Sequence, residues 1–256
     1  MDRPPSRFAD WDADVVWDYD GVVTVWRLER GGETRFLKVR KVYRHHYTLA
    51  DERDRLEWLR DRITVPAVCN YGMDDGTEWL LLAPLVGRDA TTPELKSDPP
   101  TIVPLLGHGL RDFHEQLDPD DCPFDFRNDV AIAHVRRRLE AGVFDDDYDF
   151  HDEFKHMTPE QAVRKLEELR PESEDLVVCH GDYCFPNVLI DHGSIAGYLD
   201  VGELGVADRW CDVAVGAWST TWNVGPGWEE LFYECYGIEP DVQKIEYYRL
   251  LYSLAS

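Results

Sequence analysis

Residues 177–212 read VVCHGDYCFPNVLIDHGSIAGYLDVGELGVADRWCD, and no other stretch restricts the chain as much. A short apolar run (176–179) leads into a polar loop. A second apolar run (188–190), a tight turn at Asp191-His192-Gly193 and a third run (195–199) follow, and the last ends in Asp200. Apolar runs of this length bounded by turn residues predict three short buried strands. The loop delivers His180, Asp182 and Asn187, and the hairpin after it delivers Asp200.

Each of these polar residues alone would serve equally well as a turn cap. Together, in this order and between apolar strands, they match the needs of phosphoryl transfer. One carboxylate orients and deprotonates an acceptor hydroxyl, while an amide oxygen and a second carboxylate hold Mg²⁺ on the phosphates. Asp182 and Asn187 stand five positions apart, the spacing of the Asp and Asn in a kinase catalytic loop.

The remaining sequence is compatible with that chemistry. The chain has 256 residues, enough for one large domain or two lobes. Its balance of 27 Lys+Arg against 51 Asp+Glu, a net charge of −24, argues against a nucleic-acid or anionic-membrane partner and suits a polycationic small molecule. The same surplus would also arise from a salt-rich cytoplasm or a GC-rich genome. The six cysteines form no CxxC pair, which argues against zinc and for reduced thiols. No apolar run approaches the roughly 20 residues of a membrane span. The N-terminus MDRPPSRFAD has no apolar signal segment. A cytoplasmic protein, monomeric or homodimeric, is expected.

Along the chain, 22–28 and 34–39 predict two strands joined at Gly31-Gly32. Asp20-Gly21, just before them, could fold over phosphates. Lys38 lies inside the second strand. A helix over 51–60 is expected, with Asp51 as its cap and Glu52 in its first turn. A Lys38–Glu52 ion pair would orient ATP, whereas Glu52 alone would merely complement the helix dipole. Residues 65–68 and 78–82 predict two more strands, 83–87 a break, and 91–104 a proline-rich linker or lid-like loop. Helices are expected over 102–117, 130–141, 158 onward, 212–221, 228–236 and 242–254. Arg136, Arg137 and Arg138 are expected on a solvated face. His114 reads as a satisfied helix histidine. Residues 144–153 form a dense acidic run, read as a solvated loop or as a flap gripping ammonium groups.

The segments HGDYCFPNVLI and GYLDVGELGVADRWCD, with FLKVR, DERDRLEWL, VPAV, FHEQLDPDDCPF, EDLVVCHGD and YYRLL in this order, closely resemble the aminoglycoside phosphotransferases, and among them those that modify the 3′-hydroxyl. The resemblance spans most of the chain. It implies an α+β, protein-kinase-like two-lobed fold, with an antiparallel β-lobe over 1–83, a hinge at 84–87 and a mainly helical lobe over 88–256, the site lying in the cleft. It implies ATP, or GTP in its place, with Mg²⁺.

The resemblance makes Asp182 the catalytic base and Asn187 and Asp200 the metal ligands. Lys38 would contact the phosphates with Glu52 as its partner, and Gly21 would lie in the phosphate loop. Phe36 would stack on the adenine, and Ala83 and Leu85 would supply hinge backbone bonds. His180, Gly202, Asp208 and Asp212 would shape the loop and the region behind it. Three positions depart from the family pattern: Glu203 replaces an Arg, Trp218-Ser219 an Arg-Asp-like pair, and Tyr252-Ser253 two adjacent acids that bind substrate amines. The acceptor contacts expected here are therefore Asp152, Glu153, Glu203 and Tyr252. A kinase of the same fold acting on an amino alcohol, a sugar or a macrolide is the alternative. A non-catalytic nucleotide-binding protein would be expected to lack one of Lys38, Asp182, Asn187 or Asp200.

Overall fold

The structure is a computed structural model that describes residues 3–19, 22–41, 48–74, 76–142, 144, 151 and 153–255. The chain divides into two compact units, Met1–Gly87 with Ala196–Gly202, and Arg88–Ile195 with Glu203–Ser256.

In the first unit, strands β1 (Asp12–Tyr19), β2 (Val23–Arg30), β3 (Glu33–Lys41), β4 (Val68–Asp74) and β5 (Thr77–Leu82) form an antiparallel sheet in the order β1-β2-β3-β5-β4. The β2–β3 turn needs two left-handed residues, and Gly31 and Gly32 supply them with φ of 59° and 85°. That turn sets Lys38 opposite Val25 on one side and Leu80 on the other. Side chains alternate along β3, so Leu37 and Val39 enter a core with Phe8, Trp26, Leu28 and Trp79, while Phe36 and Lys38 share the other face. Helix α1 (Leu49–Leu59) packs on β4 and β5. Its cap is Thr48 rather than Asp51. Asp51 stands at the third helical position and closes a capping box with the Thr48 backbone, so the acid expected as the cap completes it from inside.

Two further expectations for this unit are corrected. The expected strand at 65–68 begins only at Val68, because Pro66 cannot donate a ladder hydrogen bond. The unassigned acidic stretch before residue 20 is the edge strand β1, whose side chains are mostly exposed and carry no clear alternation.

The second unit is mainly helical. It begins with β6 (Arg88–Asp89), α2 (Pro93–Lys96) and α3 (Pro99–Gln116), followed by α4 (Asn128–Glu140) and α5 (Pro159–Leu169). Most prolines of the expected linker over 91–104 are helix starters: Pro93, Pro99 and Pro100 occupy first-turn positions, where a missing N–H costs nothing, while Pro104 lies inside α3. Strands β7 (Leu176–Cys179), β8 (Val188–Asp191) and β10 (Gly205–Asp208) follow, with β7 paired to β10 and β8 to β6; β9 (Ser194–Tyr198), next in the chain after β8, has its residues from Ala196 on counted with the first unit. Helices α6 (Trp210–Val224), α7 (Glu229–Tyr236) and α8 (Val242–Ala255) close the unit, α6 packing against both of the others. Arg138 is not solvated. It is buried, and its guanidinium donates to the Ala255 carbonyl and lies over the Phe144 ring. Among the described residues, no helix is long and apolar enough to cross a membrane.

Candidate active site

The first unit gathers three charged side chains. Lys38 Nζ lies 2.9 Å from Glu52 Oε2 and 2.6 Å from Asp200 Oδ1. The expected Lys38–Glu52 pair is thus formed, and Asp200 is a second partner. Lys38 and Glu52 are nearly enclosed, whereas the Asp200 side chain stays 44% exposed. Burial pulls the Lys38 ammonium down, but the Asp200 and Glu52 carboxylates outweigh it and hold Lys38 above its ordinary value. Burial pushes the Glu52 carboxyl up against the opposing pull of Lys38. Asp200 follows β9 in the left-handed region at φ 53°, an uncommon conformation for a residue with a side chain. Phe36 is half-buried two positions before Lys38. The Ala83 N–H donates to the Ala67 carbonyl, which leaves only its own carbonyl for another donor.

In the second unit, the loop after β7 carries Asp182 and Asn187. Asp212, fully buried in the first turn of α6, fixes the loop entrance: Oδ2 accepts from the His180 N–H at 2.6 Å and Oδ1 from the Gly181 N–H at 2.9 Å. His114 Nε2 lies 2.9 Å from the same Oδ2. A carboxylate only accepts, so Nε2 carries a proton, and Nδ1 lies 2.8 Å from the Tyr236 hydroxyl. Gly181 turns the chain at φ 91°, where a Cβ would stand 2.6 Å from the Glu203 carbonyl oxygen. The far end of the loop is tied down as well, since the Phe185 N–H donates to Ser219 Oγ on α6.

Three donors converge on the Asp182 carboxylate. The Tyr252 hydroxyl donates to Oδ1 at 2.9 Å, and the Cys184 thiol donates to the same oxygen at 2.7 Å. Asn187 Nδ2 donates to Oδ2 at 2.7 Å and also to the Asp182 carbonyl at 3.0 Å. Burial and the Asp182 charge hold the Tyr252 phenol well above its ordinary value, so it stays a donor.

A carboxylate held by an asparagine five residues on, and a strand lysine paired to a helix glutamate, are residue types that phosphoryl transfer uses. Residues 20–248 match the model of the phosphotransferase enzyme family. The chain belongs to the phosphotransferase enzyme family.

This member of the family has relatives along most of its length. It is 41% identical over 213 residues to an aminoglycoside 3'-phosphotransferase of Streptomyces fradiae, covering 80% of this chain and 79% of the relative. It is 36% identical over 247 residues to that of Streptomyces ribosidificus, covering 93% of each. Among solved structures, an aminoglycoside-3'-phosphotransferase of type VIII superposes with a TM-score of 0.84 at 32% identity, over 96% of this chain and 94% of that one. An aminoglycoside phosphotransferase from Streptomyces rimosus in complex with ADP and streptomycin superposes with a TM-score of 0.76 at 25% identity, over 97% and 93%. The α+β, protein-kinase-like fold read from the sequence is the fold these phosphotransferases share with this chain.

Within this phosphotransferase, the expected residues fall into two groups. Lys38, Glu52 and Asp200 meet in the first unit, and Asp182, Asn187 and Tyr252 meet in the second. Tyr252, expected at the acceptor, holds Asp182 directly. Glu153 lies 3.9 Å from the Arg249 guanidinium with 45% of its side chain exposed. Glu203 is half-buried, with its backbone against Gly181. Gly21 and Asp152 lie outside the described residues.

Sequence reasoning missed the roles of Cys184 and Ser219 at the loop and those of His151, Trp218 and Trp222 beside Tyr252. Trp218 lies on the helix expected over 212–221 and Trp222 one residue past its expected end, and an i, i+4 spacing there reads equally as core. Nothing local marks Cys184 or His151.

Proposed function

We propose that this chain transfers the γ-phosphoryl group of ATP to a hydroxyl of an aminoglycoside, the 3′-hydroxyl, and so confers resistance to the drug. The observation that carries the reading is the Asp182 carboxylate held by Asn187 and Tyr252, in a chain 41% identical to an aminoglycoside 3'-phosphotransferase.

Asp182 is the base. Each carboxylate oxygen offers two lone pairs. Among the described residues, Oδ1 takes two donors, Tyr252 and Cys184, while Oδ2 takes Asn187 alone. The acceptor hydroxyl therefore approaches Oδ2, which orients it and takes its proton late, because the transition state of phosphoryl transfer is loose. Positioning and charge neutralisation carry most of the rate. Lys38, held by Glu52 and Asp200, would neutralise phosphate oxygens. Phe36 would stack on the adenine, the Ala83 carbonyl would accept from it and the Leu85 N–H would donate to it.

The donor chemistry fits Mg²⁺. Both hydrogens of the Asn187 amide are turned toward Asp182, which leaves its Oδ1 directed elsewhere, and Asp200 contributes an exposed carboxylate. Amide and carboxylate oxygens are the hard ligands that Mg²⁺ prefers. When bound, the ion neutralises charge on the phosphates.

A second reading keeps the chemistry and changes the acceptor to another small hydroxylated molecule. It draws support from Tyr252-Ser253, which stand where the resemblance expects two acids. The non-catalytic reading is disfavoured, since Lys38, Asp182, Asn187 and Asp200 are all present.

The test is ADP release from ATP, with and without Mg²⁺, across a panel of aminoglycosides. Turnover with 3′-hydroxylated compounds and none with their 3′-deoxy analogues is expected. Acceptor-independent hydrolysis alone would refute the aminoglycoside reading and favour the second one.

A further inference from the structure

Four aromatic rings meet beside the loop that carries Asp182. Trp218 and Trp222 lie one turn apart on α6 and project from the same face. Tyr252 comes from α8, and His151 precedes α5. The His151 centroid lies 4.5 Å from Trp218, 4.9 Å from Trp222 and 5.6 Å from Tyr252. Trp222 and Tyr252 are stacked at 6.3 Å and 27°. The cluster touches the reaction centre through one bond, from the Tyr252 hydroxyl to Asp182 Oδ1.

Core packing accounts for Trp218, which is buried, but not for Trp222, which keeps 40% of its surface exposed. The rings also already accept cations and planar groups from this chain. The Arg249 guanidinium lies 5.2 Å over Trp218, and the His151 imidazole lies nearly parallel to Trp222, at 15°. Aromatic faces are electron-rich and attract positive charge, Trp most strongly. The chain as a whole is acidic, with a net charge of −24, which favours a cationic ligand.

We propose that Trp222 and Tyr252 form a subsite that seats an ammonium-bearing sugar ring of the acceptor, its C–H face stacked on the rings and its protonated amine held by cation–π attraction. This rests on the aminoglycoside reading above and specifies how the drug is gripped. A π face, unlike a carboxylate, has no fixed hydrogen-bond directions. The subsite therefore tolerates different amine positions on the ring but discriminates against a ring whose amine is replaced by a hydroxyl.

The test compares acceptors that differ only by an amino or a hydroxyl group on the phosphorylated ring. The wild type is expected to show an acceptor KM lower for the amino compound by roughly three- to thirtyfold, the range of a cation–π contact. Trp222→Leu is expected to abolish that preference and to raise the acceptor KM at least fivefold more than the ATP KM, on the same basis. Trp222→Phe, which keeps a weaker π face, retains part of the preference. An unchanged preference in either variant overturns the proposal while leaving the phosphotransfer reading intact. If calorimetry and turnover show that the wild type takes no aminoglycoside, the reading and the proposal fall together.

Discussion

The Tyr252 hydroxyl donates a 2.9 Å hydrogen bond to Oδ1 of Asp182, across 70 residues of sequence. This bond and the Cys184 thiol occupy one oxygen of the carboxylate, and in the proposed mechanism the other oxygen reacts. Tyr252→Phe removes the donor and keeps the ring. A hydrogen bond to a charged group contributes about 1.5–3 kcal/mol, and Asp182 is half-buried, so about 1–2 kcal/mol of stability is expected to be lost. The kcat falls more than the ATP KM changes. Denaturant unfolding and steady-state kinetics check both, and an unchanged kcat would show that the bond does not set the reacting oxygen.

Asp182→Ala removes the proposed base, and kcat is expected to fall by roughly 10²–10⁴. Asn187→Ala removes both a proposed metal ligand and the donor to Oδ2, so its loss should be at least as large. ATP binding, read by calorimetry, survives in Asp182→Ala. Full turnover in Asp182→Ala would refute the assignment.

Lys38 links Glu52 and Asp200. Lys38→Met leaves two carboxylates facing each other, whereas Glu52→Gln leaves one ion pair in place. Breaking a buried pair from one side costs a few kcal/mol, and the exposure of Asp200 reduces that here, to about 3 kcal/mol for Lys38→Met and about 1–2 for Glu52→Gln. The folded Lys38 is held above its ordinary value of 10.5, so the stability it contributes is complete below that pH and shrinks as pH rises above it. The Tyr252 phenol, also raised, acts in the same direction from about pH 10. The Tm of the wild type should therefore decline above these values, and more shallowly in Lys38→Met. Parallel declines would remove the pair as their source.

Asp212 accepts two backbone N–H groups and the His114 ring at a fully buried position. Asp212→Asn keeps the shape but turns a donor toward one of those N–H groups, for an expected loss of about 2–3 kcal/mol. Asp212→Ala leaves all three donors unpaired and is expected to cost about 3–5 kcal/mol. Turnover should fall in both, because Asp182 lies one residue beyond Gly181. Chemical unfolding beside kinetics reads both effects, and a stable, fully active Asp212→Ala would show that the loop holds itself.

Much of this was legible in the chain because the signals are local. The Gly31-Gly32 turn, the hairpin after Asn187 and the capping box at Thr158 each depend on residues within a few positions of one another. The Asp182–Asn187 spacing is equally local, since a five-residue loop brings both ends of its own hydrogen bond together. Pro93, Pro99 and Pro100 misled for the same reason: a proline disfavours a helix interior but starts a helix at its first turn, and local composition does not say which.

The sequence by itself determined the residue types of the chemistry and the order of most strands and helices, and it offered Lys38 and Glu52 as a candidate pair. Only the tertiary structure decided that Asp200 shares Lys38, that Arg138 is buried against the last helix, and that Tyr252 and Cys184 occupy one oxygen of Asp182 while Trp222 stays exposed beside them. The reason is physical. These outcomes are set by burial and by contacts mostly between residues far apart in the chain, and packing, unlike turn chemistry or helix capping, leaves no periodic trace in the sequence.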